Sequence, residues 1–209
     1  MWISPETLLL FCLASLPIVI APGTSVAFVV TTTFSAGWRA GLPAVAGVEI
    51  GYLAHVVAAA VGVSALIVAS PEAFTVVKLL GAAYLIWLGV KGWLSKDKRT
   101  FSSTTEDAVP AVSARQAFTQ GLVVGVLNPK TAVFFLAFLP QFVSSTSSGA
   151  AWQIVQLGIV FVLLATIPDS TWVLASNGMR RFVGRLSLRT MARISGTAFF
   201  ALAAYTLFA

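Results

Sequence analysis

Four ionisable side chains stand inside long apolar runs of this chain: Glu49, His55, Lys130 and Asp169. A charged group at the centre of a bilayer helix costs roughly 2.5–3.5 kcal/mol on insertion scales, so such residues are functional candidates. Glu49 and Asp169 offer carboxyl groups that carry protons or pair with a substrate amine. The competing role is a structural pairing with Lys130 or with freed backbone groups. Lys130 suits a substrate carboxylate and equally suits neutralising either acid. Tyr52 lies three residues from Glu49, on its helix face, and would line the same cavity. Asn128 brings both amide donor and acceptor. His55 titrates near neutral pH, but it sits about 120° around the helix from Glu49, which favours a structural role.

Other chemistry lacks its parts. There is no His-Glu-x-x-His, no Gly-x-Ser-x-Gly and no second thiol beside Cys12, so the usual hydrolase and dithiol sites are absent. The expectation is therefore no enzyme, no cofactor and no bound metal.

Two apolar segments that hold these residues are interrupted. One contains Pro17 and then Pro22-Gly23-Thr24; the other contains Asn128-Pro129-Lys130-Thr131. Proline removes a backbone donor and clashes with the preceding turn, and glycine loosens the chain. In hydrocarbon each freed polar group needs a partner, so a break persists where it binds something or faces a watery cavity. Two ordinary proline kinks are the simpler alternative. Sliding the chain by 107 positions lays Pro22 on Pro129, Thr24 on Thr131 and Phe28 on Phe135. That match points to an inverted repeat with a binding site at its centre.

The elements that must position these groups follow from composition. Of 209 residues 58% are hydrophobic and 10% charged, against about 25% charged in a soluble domain. Apolar runs long enough to span hydrocarbon predict an all-α polytopic membrane protein of six transmembrane helices. They cover about 5–34, 41–69, 73–93, 115–142, 151–178 and 190–208. The last is the shortest, so five spans is the alternative. The whole chain reads as one transporter domain, with repeats at 1–94 and 115–209 joined by a polar linker at 95–114. The first run lacks a basic leader and a small-residue cleavage site, so it reads as a retained helix.

Net charge is +6, which membrane orientation explains without nucleic acid. Eleven of the 13 basic residues fall on one side if six helices alternate. That side is expected to be cytoplasmic, with both termini outside. Lys78 is expected to snorkel at the opposite surface. The glycine pairs Gly47/Gly51 and Gly121/Gly125 suit close helix packing, within the chain or in a homodimer.

Several fragments in order carry a family likeness: Pro22-Gly23, Gly37-Trp38-Arg39-Ala40-Gly41, Gly47 and Gly51, the stretch Lys78 to Gly89, Phe118-x-x-Gly121, Asn128-Pro129-Lys130, Phe134-Phe135 and Pro140-Gln141-Phe142. Together they resemble the LysE/RhtB family of bacterial amino-acid exporters over nearly the whole length. The resemblance implies export of amino acids or close derivatives across the cytoplasmic (inner) membrane, driven by the proton motive force. Pro22, Gly23, Thr24, Asn128 and Pro129 would then join Glu49, Tyr52, Lys130 and Asp169 around the substrate. The family pattern reads Pro-Gly-Pro in helix one; here Thr24 takes the third place. A metal-cation or other small-solute exporter of the same architecture is the alternative, the metal reading disfavoured by a single His and a single Cys.

Overall fold

A computed structural model describes residues 2–69, 71–96, 112–143, 149–178, 185 and 187–208. Side chains are described for all of these except 63–69, 71, 73, 74, 77, 78, 177 and 178. The described residues are all-helical, with no strand. Most of the linker at 95–114, the side chain of Lys78, and Lys98, Arg99, Arg180 and Arg181 lie outside them.

Helix α1 (Pro5–Ile20) starts on a Ser4 cap with proline at N1 and ends before Pro22. Helix α2 (Thr24–Ala36) leaves at 54° to it. Helices α3 (Trp38–Ala69) and α4 (Pro71–Trp93) complete the first half. Helix α5 (Ala114–Val126) opens on a Ser113–Gln116 capping box. Helix α6 (Pro129–Val133) turns off it by 41° and runs on as a π-helical turn, Phe134–Phe138, and a 3-10 turn, Leu139–Phe142. Helices α7 (Ala150–Gly178) and α8 (Leu188–Phe208) follow.

By length and apolarity α3, α7 and α8 are candidate spans, and the bent pairs α1–α2 and α5–α6 make two more. The last helix, expected to be the weakest span, qualifies in full, and the described part of α4 adds an apolar stretch at Leu79–Trp93.

The glycine pairs are spent inside the chain. A Cβ at Gly51 would stand 2.7 Å from Leu122 O and Val126 N, and one at Gly125 would stand 3.0 Å from Gly51 Cα. Only hydrogen side chains let the α3 and α5 backbones approach so closely, as small-residue seams do in membranes. The contacts pair 47 with 118 and 51 with 125, so these helices run in the same direction. Helix α7 runs against α3: Gly158 meets Val56, Tyr52 faces Phe161 and Gly41 meets Val173. Helix α8 runs against α4, with Gly89 on the Phe200 ring and Gly92 on Gly196. Trp93 Nε1 donates to Thr197 Oγ1 across that pair.

Arg39, Lys91, Arg115 and Arg193 thereby fall at one end of the bundle. Trp2 and Trp152, in edge contact at 6.0 Å, mark the other. Toward that second end the core is aromatic. Phe11, Phe134, Phe135 and Phe138 are fully buried, and Phe134 stacks on Phe161 at 4.5 Å. The π turn is what aims Phe134, Phe135 and Phe138 inward together, since its wider repeat shifts the face presented by a normal α-helix.

Candidate functional site

Proline at position 22 has no N–H, so the Ile18 carbonyl one turn back has no helical donor. The chain leaves the helix there, which frees the Ala21 carbonyl as well. Both are taken by one side chain from the other half of the molecule. Lys130 Nζ donates to Ile18 O at 3.0 Å and to Ala21 O at 2.9 Å. A cation at the carbonyl end of a helix is also favoured by the helix dipole. Pro22 O accepts a hydrogen bond from Ser195 Oγ of α8.

The second break is closed from within. Asn128 is the N-cap of α6, its Oδ1 accepting from Lys130 N at 3.0 Å. Its amide nitrogen reaches across to the first half, donating to Ser25 Oγ at 2.6 Å and to Tyr52 OH at 3.2 Å. Ser25 Oγ and Tyr52 OH are 2.7 Å apart. That contact uses one of the two hydroxyl hydrogens. The other is free to point into an enclosed cavity beside them, which Asp169, Lys130 and Thr131 also line. The cavity has ≈ 10 Å³ of room, about one water.

Glu49 and Asp169 are 6% and 4% exposed. Their carboxyl groups face each other between α3 and α7, with the Lys130 ammonium as the nearby positive charge. Both Glu49 oxygens are buried without a hydrogen-bond donor among the described residues. Two buried acids at close range are stable together only with a proton or a cation between them. Lys130 is committed to backbone carbonyls instead, a partner that the sequence reading had not considered for it.

The structure therefore gathers Pro22, Gly23, Glu49, Tyr52, Asn128, Pro129, Lys130 and Asp169 into one region, with Thr24 exposed at its edge. His55 stands apart: its Nε2 is 3.1 Å from Gly125 O, and its ring stacks on Phe135. Sequence reasoning missed Ser25 and Ser195 and named Thr131 only as part of the second break, without a role at the site. All three are neutral hydroxyls, so the cost argument that exposes a buried charge passes over them. Their only signal was position, since Ser25 and Thr131 lie within three residues of a break.

A vestibule of ≈ 810 Å³ lies between the packed α4–α8 pair and the two breaks. Pro22, Gly23, Thr24, Pro129 and Ser195 line it where it meets the two breaks, and Lys91 and Ser95 line it toward the basic end. On the opposite side of the breaks Phe134 and Phe161 stack at 4.5 Å in the aromatic core.

A family model described as LysE type translocator matches residues 16–209. An uncharacterized membrane protein of Vibrio cholerae is 31% identical over 193 residues, 91% of each chain. A homoserine/homoserine lactone efflux protein of Salmonella typhimurium is 31% identical, covering 74% of this chain and 72% of its own. A leucine efflux protein of an Enterobacter species is 37% identical over 66% of this chain and 64% of its own. No solved structure matches. With a family model spanning almost the whole length and relatives named as efflux proteins, the chain belongs to the LysE type translocator family.

Proposed function

We propose that this membrane transporter exports amino acids or close derivatives from the bacterial cytoplasm in exchange for protons. The observation that carries the reading is the joining of the two breaks, by Asn128 and Lys130, where a vestibule reaches Pro22, Gly23 and Pro129 and a buried carboxyl pair lies behind them. An amino acid presents an ammonium and a carboxylate, which freed helix carbonyls and freed helix N–H groups respectively suit. Helix α2 has no side-chain cap on its N-terminus, so its first N–H groups are available. The Glu49–Asp169 pair is the proton carrier, because an unpartnered buried acid needs a counter-charge that an exchanged proton supplies.

The architecture behind this is six spans in two inverted repeats. It is supported by a broken span at the start of each half and by opposed running directions of α3 against α7 and α4 against α8. The basic loops lie in the cytoplasm by the positive-inside rule. The vestibule then opens inward and the aromatic stack seals the outside.

The test is transport in proteoliposomes, with leucine and homoserine as first substrates. Glu49→Gln and Asp169→Asn should lose accumulation driven by a proton gradient, and at least one should retain substrate-for-substrate exchange. If both variants still accumulate substrate on a gradient, this pair is not the coupling group.

A further inference from the structure

Lys130 occupies a site shaped for a primary ammonium group. Its three N–H donors meet two carbonyl oxygens at 3.0 and 2.9 Å, both at the negative end of α1. Pro22, by lacking an N–H, keeps the first of those carbonyls free of a helical partner. Gly23 leaves room beside the ammonium: a Cβ there would stand 3.5 Å from Nζ. The ≈ 810 Å³ vestibule borders this clasp through Pro22, Gly23 and Pro129. The carboxyl groups that would naturally pair with Lys130, Glu49 and Asp169, lie near it, and the Glu49 oxygens have no donor among the described residues.

We propose that Lys130 is a tethered stand-in for the ammonium group of the substrate. An incoming primary ammonium takes over Ile18 O and Ala21 O, and Lys130 swings onto the Glu49–Asp169 pair. The exchange conserves charge: one ammonium replaces another on the carbonyls. Where the acids hold a proton, the arriving lysine displaces it into the vestibule, so substrate uptake from the cytoplasm drives proton release on the same side. This step rests on the exporter reading above. The charged and titratable groups around it are Glu49 and Tyr52 on α3, Lys130 on α6 and Asp169 on α7, with His55 turned to Gly125.

Methylammonium, the smallest ligand with the required N–H donors and charge, tests the site without assuming any substrate. In detergent-purified full-length Lys130→Met the vacated carbonyls should bind it. Tens of millimolar methylammonium should raise the melting temperature of the variant by several degrees and that of the wild type by clearly less, because in the wild type it must first displace Lys130. Tetramethylammonium, which has no N–H, should do nothing to either. Lys130→Ala, with more space, should behave as Lys130→Met does, and a variant that can be purified only with methylammonium present also supports the site. Equal responses of wild type and both variants, or none in either variant, overturn the proposal and leave Lys130 as a helix cap. A second arm separates the two readings. Should wild type exchange neither leucine nor homoserine nor any other amino acid while methylammonium still protects the variants, the exporter reading fails and the ammonium site stands.

Discussion

The two interruptions look alike in sequence and are built differently. At Asn128-Pro129 the proline sits at the first helical position, where its missing N–H would have had no helical partner, and Asn128 caps the new helix. That break is self-sufficient. At Pro22-Gly23 the proline stands between helices, the next helix has no side-chain cap, and the orphaned carbonyls depend on Lys130 and Ser195 from the second half. The first break is open and borrows its partners; the second is closed and lends them. A site that must release and rebind a ligand is better built on the open one.

Asn128→Ala should show the largest effect. It removes the α6 cap, worth about 1 kcal/mol, and both interhelical bonds, worth about 0.6 kcal/mol each on average in membranes. A loss of roughly 2 kcal/mol in unfolding experiments and at least a tenfold fall in transport are expected. A stability change below a few tenths would show that the second break does not hold the halves together.

Replacing each proline sharpens the contrast. Pro22→Ala restores a donor for Ile18 O and competes with Lys130, so transport should fall strongly while stability holds or rises. Pro129→Ala restores an N–H with no helical partner, so both should change little, by less than about 0.5 kcal/mol in stability. Equal responses in proteoliposome exchange and thermal melts would erase the distinction drawn between the breaks.

Ser25→Ala should cost about 1 kcal/mol or less, because Tyr52 still receives the Asn128 amide. Thr24→Pro should be the mildest in stability. Thr24 is the first residue of α2 and exposed, a position proline accepts. Its effect belongs in substrate preference, read by comparing leucine with homoserine exchange.

Several features were open to sequence reasoning because they carry a large local penalty. Glu49 and Asp169 stand out in apolar runs, and the Pro22-Gly23 and Asn128-Pro129 pairs mark the breaks, whereas Pro17, Pro43 and Pro168 are carried inside helices. Helix extents followed from apolar length, and the last helix proved long and apolar enough to span. Glycine spacing announced close packing on α3 and α5. It did not say that each seam is filled by the other, because a small-residue stripe carries no partner's address.

What the amino-acid order determined by itself was the set of costs: which groups lipid would not tolerate alone, and where the backbone would lose a donor. What only the tertiary structure decided was who meets those costs. Lys130 is 109 residues from Ala21 and Asn128 is 103 from Ser25. Periodicity and propensity act over a few turns of helix, so they cannot assign such partners. The packing of one half against the other turns two chain breaks into a single polar site.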